Sequence, residues 1–399
     1  MVGGADGVLD GVLPAGALLV GRVWDPAAGG PRVVAVDTAA PPGGSGWGVH
    51  ELTDREPTVS GLLDRDDHLA LVRDVVRGEP RWWTDDLLRA SPGSPADAHL
   101  LAPVDLQVVK ACGVTFADSL AERVIEERSG GDPARAGAVR AEVAEVLGGT
   151  LSSVRPGSAE AARLREVLRA RGWWSQYLEV GLGPDPEVFT KAPVLASVGH
   201  GAAVGVPSWS RWNNPEPELV LVVTSRGQVV GATLGNDVNL RDVEGRSALL
   251  LGRAKDANAS SALGPFVRLL DDSLSLDALR TIEIDLEVRG ADGFVLRGRN
   301  SLARISRPFE ELVAATLGSH HQYPDGFVLY TGTLFAPTAD RDEPGQGFTH
   351  HVGDVVRISC PALGTLENVV LATEDLPPWT FGLGELLRRL GLPRTVTPS

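Results

Sequence analysis

From residue 186 onward the chain is cut into short apolar segments: EVFTKAPV, ELVLVVT, QVVGATLG, TIEIDLEVRG, FVLYTG, DVVRISC and ENVVLAT. Each is strand-sized and bounded by turn-forming residues, so a large antiparallel or mixed β structure is predicted. The 47 glycines and 28 prolines point the same way, toward many turns and short strands rather than a helical bundle.

The 399 residues exceed what one hydrophobic core usually organises, and two domains are expected. Residues 1–105 alternate short apolar runs with Gly and Pro clusters before a helix around DDHLALVRDVVRG, which reads as a small N-terminal α/β domain. The Pro- and Ser-rich stretch at 91–106 marks the boundary, and 106–399 form the second domain. In that domain FADSLAERVIEERSGG and PARAGAVRAEVAEVLGG have helical spacing and end in glycine pairs, which predicts a helical hairpin ahead of the sheet. The expected class is therefore α+β.

A formal charge of -15 without a compensating Lys/Arg run argues against nucleic-acid or anionic-lipid binding. The N-terminus lacks the basic start of a secretory signal, and no apolar run is long enough to span a membrane, so a cytoplasmic protein is expected. Cys112 and Cys360 have no metal-type spacing and read as reduced, buried small hydrophobes.

The most informative segment is NNPEPELVLVVTSRGQVVGATLGNDVNLRD, residues 213–242. Its two apolar strands meet at Ser225-Arg226-Gly227-Gln228, where a two-residue hairpin turn is expected. Symmetric pairing about that turn sets Glu216 opposite Asp237 at the open end, and strand alternation puts Glu218 on the face of Glu216. Pro215 and Pro217 remove ladder donors and mark a strand end. An ExE pair alone also occurs on solvent-facing strand edges. Three converging carboxylates, however, require protons or a cation to offset their repulsion. All-oxygen ligation suits Mg²⁺, with Mn²⁺ or Ca²⁺ as alternatives.

The strings PEPELVLV, GNDVNLRD, RAKDANASSALGPF, TGTLFAP and HVGDVVRISCPALGTLENVV together resemble the fumarylacetoacetate hydrolase superfamily over roughly residues 107–375. ACGVTFADSLAERVIEER, WSQYLEVGLGPDPEVFTKAP and QYPDGF look like its branch of bacterial 2-keto-3-deoxy-D-xylonate dehydratases. The resemblance implies a C-terminal rolled, mixed β-sheet of barrel-like form with a helical lid, a metal at the sheet mouth, and homodimers or homotetramers. It implies that Glu216, Glu218 and Asp237 ligate the metal and that Lys255 is the active-site lysine. Thr333 is implied to bind a substrate carboxylate, with Lys191 and Phe116 also at substrate-contacting positions. Glu187 falls at an acidic position of the sugar-acid dehydratases.

One departure carries chemical weight. Superfamily members that cleave C–C bonds often carry GLNYxxHxxE on the lid, whereas GVTFADSLAE has Ser119 at the histidine position and keeps Glu122. Serine is no base near neutral pH, which favours elimination over hydrolysis. The expected reaction is Mg²⁺-dependent dehydration of a 2-keto-3-deoxy sugar acid, with Glu187 as first candidate for the base and Glu122 second. The rivals are hydrolysis of a 2,4-diketo acid and metabolite binding without catalysis. His320-His321 and His350-His351 read as structural or surface residues, because neighbours on a strand face opposite ways. Trp173, Trp174 and Tyr177 read as core aromatics that could also cover the pocket.

Overall fold

A computed structural model describes residues 11–43, 45–90, 92, 96–147, 154–334, 340–342 and 347–390. Gly148-Gly149, predicted to end the second lid helix, part of the 91–106 boundary stretch, part of TGTLFAP, and the C-terminal tail lie outside the described residues.

Two mixed sheets organise the described residues. The larger has eleven strands. At its centre Pro217–Val223 lies between Val229–Asp237 and Phe327–Tyr330, and beyond the latter run Val108–Gly113 and Glu187–Ala192. On the other side Ser261–Leu269 joins Val229–Asp237 to Leu18–Asp25, so the N-terminal strands continue the same sheet. The smaller sheet has five strands, in the order Val295–Ser301, Glu283–Arg289, Val355–Cys360, Gly364–Ala372 and Ala203–Val206. Each sheet holds one parallel pair among antiparallel ones. Among the described residues neither sheet closes into a barrel; the expected roll is two sheets packed face to face.

The unbroken apolar run of Pro217–Val223 follows from this position, because both faces of the strand are covered. Leu219, Leu221 and Val223 pack against Leu286, Ile358 and Leu366 of the smaller sheet. Val220 and Val222 turn to the opposite core, where Val59, Leu62 and Val72 come from N-terminal helices. The predicted helix at DDHLALVRDVVRG is observed as His68–Val75.

The lid is larger than the sequence reading made it. Ala117–Ser129 ends at Gly130 in the left-handed conformation, as the glycine pair predicts, and Pro133–Leu147 follows. Two further helices, Ala159–Ala170 and Gln176–Leu182, complete the cluster, each N-capped by a serine, Ser158 and Ser175. Trp173 and Tyr177 are buried in this cluster. Among the described residues no helix is long and apolar enough to cross a membrane.

Candidate metal centre

The hairpin that carries the three acids keeps the predicted register by an indirect route. Its turn is not the expected two-residue loop. Thr224 N–H bonds Gln228 O at 2.9 Å and Gly227 N–H bonds Thr224 O at 3.0 Å, with Gly227 at φ 81°, a three-residue turn. This shifts the pairing by one, and a bulge between Val222 and Val223 restores it, so that Pro217 pairs Asn236 and Glu218 pairs Gly235. Asp237 N–H then reaches Glu216 O at 3.0 Å.

Glu216, Glu218 and Asp237 are all buried, and each offers a carboxylate oxygen within 4.8 Å of the others. Lys255 Nζ lies 2.5 Å from Glu216 and 2.9 Å from Asp237. Lys191 Nζ lies 2.8 Å from the other Asp237 oxygen and donates to the carbonyls of Val238 and Lys255. Burial would raise the Asp237 carboxyl, but the two lysines outweigh it and hold the group below the usual range. Burial opposes the charge of Lys255 as well, and there Asp237, Glu216 and Glu244 prevail and raise it.

Glu218 differs from its neighbours. Its partner among the described residues is a backbone donor, Gly332 N–H at 2.6 Å. Burial, with Asp237 and Glu216 adding to it, pushes its carboxyl well above the ordinary value. A buried carboxylate with no cation of its own, beside two others, is the environment a divalent ion would relieve. The donor set fits a hard cation.

The lid closes the centre through charge. Arg123, from Ala117–Ser129, reaches Glu216 at 2.5 Å and Glu126 and Glu244 at 2.7 Å each. Arg241 donates to Glu126 at 2.7 Å and to Glu122 at 3.1 Å, and Arg140 meets Glu122 at 2.8 Å. Glu122 thus serves the lid network and is not among the cavity-lining residues. Ser119 does line the cavity, with its Oγ donating to Phe116 O at 2.9 Å. Thr333, Phe189 and Cys112 line it too. Phe116 is instead buried in the main core. The enclosed space is about 20 Å³, enough for a water or an ion and too small for a five-carbon acid.

Glu187 pairs with Gly113 across neighbouring strands, and its carboxylate lies against the glycine: a Cβ on Gly113 would meet Oε2 at 1.9 Å. Burial, with the Glu244 charge second, pushes this carboxyl up to about 7. The histidine pairs lie elsewhere. His320 and His321 are exposed, and His350 is held by Asp354 at 3.2 Å. Cys112 is buried at the cavity wall, where burial raises its thiol and keeps it neutral.

Sequence reasoning missed Arg123 and Glu244, while Cys112 is the buried, reduced residue it was read as. Arg123 was within reach, since it stands one helical turn after Ser119 on the same lid face. Glu244 sits in Arg241–Glu244, a one-turn helix without a distinctive pattern.

Residues 157–371, just over half of the chain, match the fumarylacetoacetate (FAA) hydrolase C-terminal family. The chain belongs to the fumarylacetoacetate hydrolase family. It is 33% identical over 281 residues to a Haloferax volcanii family relative named "Probable 2-keto-3-deoxyxylonate dehydratase", covering 69% of this chain and 90% of that protein. It is 32% identical over 181 residues, 45% of this chain and 57% of the other, to the "2-dehydro-3-deoxy-D-arabinonate dehydratase" of Saccharolobus solfataricus. Among solved structures, a 2-keto-3-deoxy-D-arabinonate dehydratase complexed with magnesium and 2,5-dioxopentanoate superposes with a TM-score of 0.56 at 22% identity, over 89% of this chain and 99% of that one. The same enzyme's apo form gives 0.56 as well, so the fold is that of the fumarylacetoacetate hydrolase relatives.

Proposed function

We propose that this chain is a Mg²⁺-dependent dehydratase that converts a 2-keto-3-deoxy pentonate, such as 2-keto-3-deoxy-D-xylonate, into 2,5-dioxopentanoate (α-ketoglutarate semialdehyde) in oxidative pentose degradation. The observation that carries this reading is the buried triad Glu216, Glu218 and Asp237 beside Lys255, in a cavity whose lid offers a serine where a water-activating base would stand. The names of the two relatives support the substrate class.

Glu216, Glu218 and Asp237 would hold the ion, which supplies Lewis-acid polarisation of a 2-oxo acid. Lys255 adds a fixed positive charge beside the triad, where negative charge develops on the ketone oxygen as a C3 proton leaves. Glu187 takes that proton. Its carboxyl is pushed up to about 7, which balances the ionised form it needs against proton affinity. Loss of the C4 hydroxyl and tautomerisation then give the C5 aldehyde. Thr333 at the cavity wall is suited to the substrate carboxylate. Ser119 Oγ is turned to the Phe116 carbonyl and activates no water.

The test is incubation with 2-keto-3-deoxy-D-xylonate and Mg²⁺, following semialdehyde through a coupled dehydrogenase. Stoichiometric semialdehyde is expected. Pyruvate released from a 2,4-diketo acid would make the chain a C–C hydrolase instead, and inactivity with every Mg²⁺-supplemented acid would leave a binding protein.

A further inference from the structure

A second cavity, of about 460 Å³, lies away from the metal centre, between the N-terminal strands, residues 195–203 and residues 371–381. Its size is that of a ligand pocket. The walls are apolar and aromatic, with Trp24 packed edge-on to Phe381 at 6.0 Å and stacked on His99 at 6.5 Å, and with Trp379 and Leu376 beside them.

One charge interrupts this lining. Arg22 borders the cavity although it is only 5% exposed. Its Nη1 donates to Val104 O at 2.8 Å and Ala102 O at 3.4 Å, and among the described residues its Nη2 donates to nothing. Asp105 stands 4.0 Å from Nε, and its carboxylate is already shared by the N–H groups of Val59, Ser60 and Leu106. The guanidinium is therefore a largely buried cation whose nearest carboxylate stands 4.0 Å away and is shared with three N–H groups, and among the described residues Nη2 has no protein acceptor, a place an anion would fill.

Backbone strain marks the same walls. Leu195 at φ 65° and Ala259 at φ 59° both line the cavity in the left-handed region, a conformation that clusters at ligand clamps. Ala259 adjoins Ser260, whose Oγ donates to Lys255 O at 2.7 Å and lies 3.3 Å from Lys191 Nζ. The cavity thus backs onto the loop that seats both active-site lysines.

We propose that this cavity binds a small monocarboxylic acid with an apolar or aromatic body, its carboxylate on Arg22 and its body between Trp24, Phe381 and Trp379. A polyhydroxylated sugar acid fits poorly, because apart from Arg22 the walls offer its several hydroxyls few side-chain partners, Ser197, Asn258 and His99 among them. Its lining shares no residue with the cavity of the metal centre.

The test is calorimetric titration of octanoate and 3-phenylpropionate, each against its neutral amide, into the full chain in EDTA. The expected result is 1:1 binding of at least one acid, with its amide about tenfold weaker or more. Arg22→Gln should bring that acid down to its amide. Trp379→Ala, at a position 45% exposed where folding is spared, should weaken acid and amide alike. Hydrogen exchange should show protection at 257–260 in the bound state. No saturable binding, equal binding of acid and amide, or affinity unchanged in both variants overturns the proposal.

Discussion

Arg123 Nη2 lies 2.5 Å from the Glu216 carboxylate, so a lid residue neutralises an acid that the family resemblance makes a metal ligand. The same guanidinium bridges Glu126 and Glu244, 2.7 Å from each. On the proposed function, a divalent ion and Arg123 would compete for Glu216, and metal binding would be coupled to the position of the lid.

That competition has a sign. In Arg123→Gln the acids lose one internal counter-ion, so Mn²⁺ should bind the variant about three- to tenfold more tightly, equivalent to about 0.6–1.4 kcal/mol. The metal-free variant should melt lower, since Glu126 and Glu244 lose a buried partner, and Mn²⁺ should recover much of the loss. Calorimetry and thermal melts read both. Weaker Mn²⁺ binding in the variant would mean that Arg123 helps to seat the ion rather than standing in for it.

Glu218 offers a cleaner separation of folding from ligation. Burial, with Asp237 and Glu216, raises its carboxyl and so favours the neutral form in the absence of a cation, and Glu218→Gln puts a neutral group of the same shape in its place. The metal-free melting temperature should move by no more than a few degrees, roughly 1 kcal/mol, while the stabilisation given by Mg²⁺ and the dehydratase activity both disappear. A collapse of the metal-free fold would show that Glu218 is ionised there.

The acid triad was legible in the sequence because a hairpin obeys arithmetic. Positions equidistant from the turn pair, and Glu216 does meet Asp237. The agreement hides two offsetting irregularities, a three-residue turn and a bulge at Val222/Val223, neither of which apolar alternation reveals. Contacts between distant segments were not legible at all. Leu19 pairs with Arg268, and Arg123 finds Glu244, because the sheet and lid bring them together, while local pattern reports neighbours along the chain. The helices Ala159–Ala170 and Gln176–Leu182 are marked by serine caps that were there to be read.

The rate should depend on the ionisation of Glu187. Its carboxyl is pushed up to about 7 by burial and the Glu244 charge. A general base works only when deprotonated, so kcat/KM should rise with pH through that value and level off above it. A divalent ion nearby favours the ionised form, so the midpoint in Mg²⁺ should fall at or below 7. Glu187→Gln should lower kcat by about 10²-fold or more and leave the Mn²⁺ affinity within about threefold of the parent. An unchanged acidic limb in that variant would assign the titration to another group.

On the proposed function the lid must also move. The cavity of about 20 Å³ cannot admit a pentonate while Arg123 spans Glu216, Glu126 and Glu244. Glu126 is the residue that ties the closed arrangement together, because it holds Arg123 at one oxygen and Arg241 at the other, all but hidden from water. Removing one member of such a buried network costs about 3–5 kcal/mol, as two cations are left short of a partner. Glu126→Ala should therefore speed hydrogen exchange across Ala117–Ser129 and Pro133–Leu147 far more than in the central strand Pro217–Val223. With Mg²⁺ and a 2-oxo acid present, the parent protein's lid should become protected from proteolysis, and that protection should shrink in the variant. Equal proteolysis of the parent with and without both ligands would show that these helices are a fixed wall, and the substrate would need another entrance.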